Sequence, residues 1–267
     1  MDILQKIIDH KHREVKERKG LYPIALLEKS IYFDTPCVSM TDYLLRDDKS
    51  GIIAEFKRRS PSKGDINPYA SVEEVSIGYM QAGASGLSVL TDSEFFGGKN
   101  SDLTTARKFN FCPILRKDFI IDEYQILEAK SIGADAILLI GECLEKEKLA
   151  TLATTAKGLG LQVLFEIHGV EQLTKLTDDI DMVGINNRNL KTFEVDIQNS
   201  IELSKGIPDQ FVKISESGIS DPRTIVELKQ EGFQGFLIGE CFMKTDAPHK
   251  TAMKFVKDMH QHEMQLS

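Results

Sequence analysis

The sequence predicts an α/β chain folded as a (β/α)8 TIM barrel with an N-terminal helical extension. Short apolar runs recur roughly every 20–35 residues from Gly51 onward, a period suited to strand–helix units. Amphipathic stretches with helix start and stop signals separate them. Eight such units in about 215 residues match a closed barrel, and the 267 residues suffice for one large barrel or two small domains. A doubly wound open sheet is the competing architecture, but it usually has fewer strands, and no G-x-G-x-x-G follows the first run. The expected division is residues 1–48 as the extension packed on the barrel and 49–267 as the catalytic barrel, one domain overall.

From Asp2 to about Arg18, the residues Ile3, Leu4, Ile7 and Ile8 stand at helical spacing with charged residues between and after them. A second apolar-periodic piece spans Tyr22–Ser30, and nothing strand-like precedes Gly51. The apolar recurrence predicts helices packed on the main body rather than a loose tail.

The eight runs are Gly51–Lys57, Gly86–Leu90, Cys112–Lys117, Asp135–Gly141, Gln162–Ile167, Met182–Asn186, Phe211–Ser215 and Gly235–Gly239. Ser71-Val72-Glu73-Glu74 has the order of a capping box. Asp221-Pro222 places an acceptor at a helix cap and proline at the first helical position. Ala82-Gly83-Ala84 and Ile132-Gly133-Ala134 stop helices just before strands.

Composition narrows the function. A net charge of −8 disfavours sequence-independent binding to nucleic acid. No apolar run reaches the length of a membrane span, and the N-terminus lacks the apolar region of a signal peptide and is too acidic for a transit peptide. Cys37, Cys112, Cys143 and Cys241 are far apart and read as reduced thiols of a cytoplasmic protein, with no metal site.

In a barrel the chemistry belongs at the C-terminal ends of the strands. The first run carries Glu55 and Lys57 on one face, with Ile52, Ala54 and Phe56 on the other. A bland reading as solvated charges at a strand end is about equally weighted for this stretch alone. The second run leads to Phe96, an aromatic wall, and the third ends in Lys117 with Phe119 beyond it. The fifth ends in Glu166, and the sixth in Asn186 and Arg188. Ser217-Gly218 and Gly239-Glu240 close the seventh and eighth, where barrels commonly bind phosphate through backbone N–H groups. Strict alternation is expected to turn Glu216 away from the mouth unless a bulge intervenes. Such a cluster of charges is costly unless used, and its members would shift one another's pKa values. The basic Ser/Pro/Gly segment Arg58–Asn67 is expected to pack poorly until an anion orders it as a lid. No role is legible for His168 or His249.

At these residues the chain resembles indole-3-glycerol-phosphate synthases of tryptophan biosynthesis, over essentially its full length. The motifs are Ala54-Glu55-Phe56-Lys57 followed by Ser60-Pro61-Ser62, then Ser88–Asp92 with Phe95-Phe96, and Pro113–Ile120. Gly184–Leu190 and Ser215–Ile219 complete them. The resemblance implies ring closure of 1-(2-carboxyphenylamino)-1-deoxyribulose 5-phosphate to indole-3-glycerol phosphate, with loss of carbon dioxide and water. It implies Lys117 as general acid, and Lys57 as holder of the substrate carboxylate and helper of hydroxyl loss. Glu55 and Glu166 are implied as carboxylate base and partner, with their division of labour open. Asn186 and Arg188 would orient the substrate, and Glu216, Phe96 and Phe119 would contact it. Ser60, Ser217, Gly218, Gly239 and Glu240 would surround the phosphate, with the Ser217 hydroxyl also reaching the reacting part. Glu240 departs from the serine of some members, so its amide alone is expected to serve.

The partner expected is a small phosphorylated molecule, with no nucleic acid, membrane, metal or cofactor; other tryptophan-pathway enzymes are candidate associates. Three alternatives stand beside this reading. A lysine aldolase would form a Schiff base at Lys117, phosphoribosylanthranilate isomerase would carry a cysteine where Glu55 and Lys57 stand, and a binding barrel would leave its ligand unchanged.

Overall fold

The computed structural model describes residues 3–188 and 194–266. Eight parallel strands close a barrel: β1 (Ile52–Phe56), β2 (Gly86–Leu90), β3 (Ile114–Lys117), β4 (Ala136–Ile140), β5 (Gln162–Ile167), β6 (Met182–Asn186), β7 (Val212–Glu216) and β8 (Gly235–Ile238). Each pairs with the next, and β8 returns to β1 through Ile52–Phe236, Ile53–Leu237 and Ala54–Ile238. The runs read from the sequence agree with these strands to within one or two residues at each end.

Alternation divides the strand residues between two cores. Ile53, Leu115, Leu138, Leu164, Met182, Val212, Ile214 and Leu237 fill the barrel interior. Ile52, Ala54, Phe56, Val89, Ile137, Val163 and Phe236 face the surrounding helices. Both faces are apolar, as expected of a sheet covered on both sides.

The helix signals act at the expected places. Ser71 accepts a hydrogen bond from the Glu74 N–H and Asp221 one from the Arg223 N–H. Gly83 and Gly133 close helices at φ of 94° and 92°. The fully reciprocal capping box lies elsewhere, at Asp122, whose carboxylate accepts from Tyr124 N–H while Gln125 Oε1 accepts from its own N–H.

Three helices precede β1: α1 (Ile3–Leu21), α2 (Ile24–Leu27) and α3 (Met40–Leu44). The second is much shorter than the Tyr22–Ser30 stretch, because Pro23 occupies its N-cap and the last residues form turns. The third is not legible from periodicity, being five residues long. It closes the floor of the barrel. Met40 and Leu44 join the interior cluster, and Gln162 at the start of β5 accepts hydrogen bonds from the Met40 and Thr41 N–H groups. The first helix lies at the opposite end, where Ile3, Leu4 and Ile7 line the mouth. Among the described residues, no helix is long and apolar enough to cross a membrane.

After β2 the chain folds back tightly on itself. The Gly98 N–H donates to the Asp92 carbonyl at 2.7 Å, and a Cβ at Gly98 would overlap the Leu90 carbonyl and approach Thr91 Cα. Backbone offers no flexible end that can give way. Gly98→Ala is therefore expected to cost about 1–3 kcal/mol, the range of overpacking, measured as a lower urea midpoint with unchanged m-value.

Candidate active site

A cavity of about 340 Å³ opens at the C-terminal ends of the strands, a volume suited to a small ligand. Every residue singled out above as catalytic, substrate-binding or phosphate-binding lines it: Glu55, Lys57, Ser60, Phe96, Lys117, Phe119, Glu166, Asn186, Arg188, Glu216, Ser217, Gly218, Gly239 and Glu240. Asn189 and Leu190, which end the Gly184–Leu190 motif, lie outside the described residues.

The charges are arranged around two lysines. Lys57 Nζ stands 2.7 Å from Glu55 Oε1. Lys117 Nζ donates to Glu166 Oε2 at 2.7 Å and Glu216 Oε2 at 2.9 Å. Asn186 Nδ2 donates to the other oxygen of Glu166 at 3.1 Å. Close backbone approach makes room for this chemistry: a Cβ at Gly239 would overlap Glu55 Oε1, and one at Gly184 would overlap Glu216 Oε1.

Burial and charge oppose each other here. Burial by itself disfavours the Lys117 ammonium, but Glu166, Glu216 and Glu55 outweigh it and hold its pKa well above the ordinary value. Burial likewise raises Glu166, but Lys117 and then His168 overcome it, and its pKa falls to about 2. Glu216 is pushed up to about 7, chiefly by burial, with Lys117 pulling it down and Glu166 opposing that pull. The site thus holds a fixed cation, a fixed anion and a carboxyl that titrates near neutrality.

The expectation for Glu216 is corrected. Val212, Ile214 and Glu216 follow one face of β7 into the barrel with no break in its pairing to β6. Regular alternation brings the carboxylate in, and no bulge is needed. Ser217, which follows, has φ of 70° and Gly218 72°, and Ser217 is the one non-glycine with positive φ among the described residues. Such backbone costs on the order of 1–3 kcal/mol and clusters at functional sites. Asn187 Nδ2 donates to the Ser217 carbonyl at 2.7 Å and holds the turn.

Arg188 crosses the mouth, with Nη1 3.3 Å from Ser62 Oγ and Nη2 3.2 Å from Glu240 Oε2. Glu240 begins a short helix, Glu240–Met243, behind Gly239. Its side chain thus has a partner within the site. Phe96 and Phe119 face each other at a centroid distance of 6.1 Å and form one wall.

The segment after β1 is anchored at its start, while Arg59 and residues 61–65 are exposed. Arg58 makes two hydrogen bonds to Asp102, at 2.5 and 3.0 Å, and lies over the Phe56 ring. Its carbonyl accepts from the Ile66 and Asn67 N–H groups, and Arg59–Ser60 pairs with Gly64–Asp65. Of the segment's three cations, Arg58 thus already has an anion within the fold.

Sequence reasoning missed the roof and the apolar floor. Ile3, Leu4 and Ile7 reach the cavity from α1, and Leu138, Ile140 and Leu237 from the strands. The helical period of the first three announces a buried face without saying against what. His168 sits with Nε2 3.6 Å from Glu166 Oε1, whereas His249 packs against Gly78, with Nδ1 3.9 Å from Glu74.

A family model described as indole-3-glycerol phosphate synthase matches residues 4–255. An indole-3-glycerol phosphate synthase of Bacteroides thetaiotaomicron is 51% identical over 256 residues, covering 96% of this chain and 98% of its own. One from Caldanaerobacter subterraneus subsp. tengcongensis is 43% identical over 247 residues, 91% of this chain and 94% of its own. Among solved structures, 3-hexulose-6-phosphate synthase from Salmonella typhimurium superposes with a TM-score of 0.62. At 14% identity over 79% of this chain and 99% of that one, it speaks to the fold alone.

The carboxyl that titrates near 7 has a consequence for stability. Glu216 binds its proton more tightly folded than unfolded, where its ordinary value is 4.5. Its contribution is complete below that value and is lost as pH rises through about 7. Glu166, lowered to about 2, and Lys117 stay ionised throughout this window. Denaturation at pH 5 and pH 8 should therefore show a fall in wild-type stability that is smaller in Glu216→Gln. Equal pH dependence of the two proteins would contradict the assignment.

Proposed function

This chain belongs to the indole-3-glycerol phosphate synthase family, and we propose from that premise how its residues share the reaction. It is a carbon–carbon carboxy-lyase of tryptophan biosynthesis. It closes 1-(2-carboxyphenylamino)-1-deoxyribulose 5-phosphate to indole-3-glycerol phosphate, releasing carbon dioxide and water. The observation that carries the assignment of roles is Lys117 Nζ, hydrogen-bonded to both Glu166 and Glu216 beside the Glu55–Lys57 pair.

Ring closure joins the aromatic carbon bearing the carboxylate to the ketone carbon of the sugar chain. The ketone oxygen gains negative charge as the bond forms, and Lys117 donates a proton to it. The ammonium is held protonated for this task by the carboxylates around it. Lys57 holds the substrate carboxylate until it departs as carbon dioxide, then assists loss of the hydroxyl as water. Glu55 and Glu166 act as carboxylate base and partner. Glu55 pairs with Lys57 and Glu166 with Lys117, and the division of labour between the two carboxylates is left open. Asn186 and Arg188 orient the substrate, Glu216 contacts it, and Phe96 and Phe119 cover its aromatic ring.

The phosphate is bound by Ser60 and by the backbone N–H groups of Gly218, Gly239 and Glu240, with the Ser217 hydroxyl between phosphate and reacting carbon. Residues 1–48 and 49–267 act as one domain, extension and barrel together. The four free cysteines and the biosynthetic chemistry support a cytoplasmic enzyme, with other tryptophan-pathway enzymes as candidate associates. A Schiff base at Lys117 is disfavoured, because it requires the neutral amine and this amine is held charged.

Incubation of the purified protein with the carboxyphenylamino-deoxyribulose phosphate should produce indole fluorescence. Binding without product would overturn the assignment. Lys117→Met should abolish turnover while substrate affinity stays within about tenfold, since a proton donor in the transition state adds little to ground-state binding. Equal loss of both would make Lys117 a charge clamp. Arg188→Ala should mainly raise KM, as for a group that grips the substrate in both states; a large fall in kcat at constant KM would refute that role.

A further inference from the structure

Outside the cavity lies a second buried charge cluster that the proposed reaction leaves unused. Lys11, on α1, is 1% exposed. Its ammonium stands 2.8 Å from Glu14, 2.9 Å from Asp92 and 2.8 Å from Asp118. His10 reaches the same Glu14 from one residue away, at 3.7 Å. Behind Asp118 stand Thr91, which donates to it at 2.6 Å, and Arg116, 3.2 Å away. A lysine this deeply buried serves more than solubility, because three carboxylates converge on it from three parts of the chain.

Each of those carboxylates leads to a part of the mouth. Asp92 Oδ1 accepts from the Phe95 N–H at 2.7 Å and the Phe96 N–H at 3.1 Å, fixing the loop that carries the aromatic wall. Asp118 directly follows Lys117, lines the cavity, and accepts from the Phe119 N–H at 2.8 Å. Glu14 belongs to α1, whose Ile3, Leu4 and Ile7 cover the opening. One ammonium therefore ties roof, wall and proton donor to a common point without entering the cavity.

We propose that Lys11 is a positioning residue for the ring-closure site, holding the Phe96 loop and the Lys117–Phe119 turn in register beneath α1. The inference rests on the roles given above to Lys117, Phe96 and Phe119. Buried Asp92 and Asp118 face each other's charge once Lys11 is gone, with Arg116 left to compensate Asp118. One of them must then take up a proton or turn away, and the loops they hold move with them. A shift of about 1 Å in such groups is enough to cost 10²-fold in rate.

The test compares Lys11→Met with Arg18→Gln, each assayed well below its unfolding temperature. Arg18 anchors the same helix through Glu128 at 2.5 Å, without touching the three carboxylates of Lys11, and Glu128 retains Arg116 at 2.6 Å. Lys11→Met should lose at least tenfold in kcat/KM with KM raised, Arg18→Gln should stay within threefold, and Lys11→Arg should recover most of the loss. Activity of Lys11→Met within threefold of wild type, an equal loss in Arg18→Gln, or no recovery in Lys11→Arg would overturn the proposal. If Lys11→Met does not fold, Asp92→Asn takes its place: it should raise KM severalfold, and an unchanged KM overturns the proposal. Wild-type turnover is the separate check on the reaction itself, since an inactive wild type would refute that reading before any variant is compared.

Discussion

The mouth of this barrel depends on a balance between desolvation and charge. Removing Lys117, Glu166 and Glu216 from water is unfavourable for each alone, and the two hydrogen bonds of Lys117 are what make their joint burial tolerable. With one cation facing two carboxylates, the charges cannot all be satisfied. Glu166, also bonded by Asn186, keeps the ionised state, and Glu216 has a raised pKa, chiefly from burial and then from the neighbouring Glu166 charge. Groups driven apart in this way are suited to acid and base work at one pH. The same contacts that make the cluster stable thus set its protonation.

The barrel supplies the rigidity that such a cluster needs. Lys117, Glu166, Asn186 and Glu216 stand at the ends of four strands whose other residues are locked in two apolar cores. Glycine lets the carboxylates sit where a side chain would exclude them, at Gly184 and Gly239. The one non-glycine with positive φ among the described residues, Ser217, lies in the turn with Gly218, next to where phosphate binding is proposed. Precision therefore comes from the strands, and adaptability from the loops between them.

The N-terminal helices act on both ends of this frame. Met40 and Leu44 close the floor against the interior core, while α1 covers the mouth and is fastened through Lys11 and Arg18. A barrel open at its floor would expose Ile53, Leu237 and their neighbours, so the third helix completes the core. The first helix completes the cavity, and it carries the buried Lys11 pairs to Asp92 and Asp118.

Much of this was legible in the chain itself. The repeat of apolar runs and helix signals determined a barrel of eight units, because period and length leave few other ways to bury both faces of a parallel sheet. The motif residues determined the site, because chemistry in this architecture gathers at strand ends, and all fourteen residues singled out line one cavity. The inward direction of Glu216 is legible as well, because it lies two residues beyond the interior-facing Ile214. Tertiary structure decided the rest. Which carboxylates share Lys117, that Arg58 is already paired with Asp102, and that Lys11 lies buried beneath the mouth depend on residues from 44 to more than 100 positions apart. Periodicity and propensity describe neighbours along the chain, whereas charge pairing and burial depend on neighbours in space, which are defined once the barrel has closed.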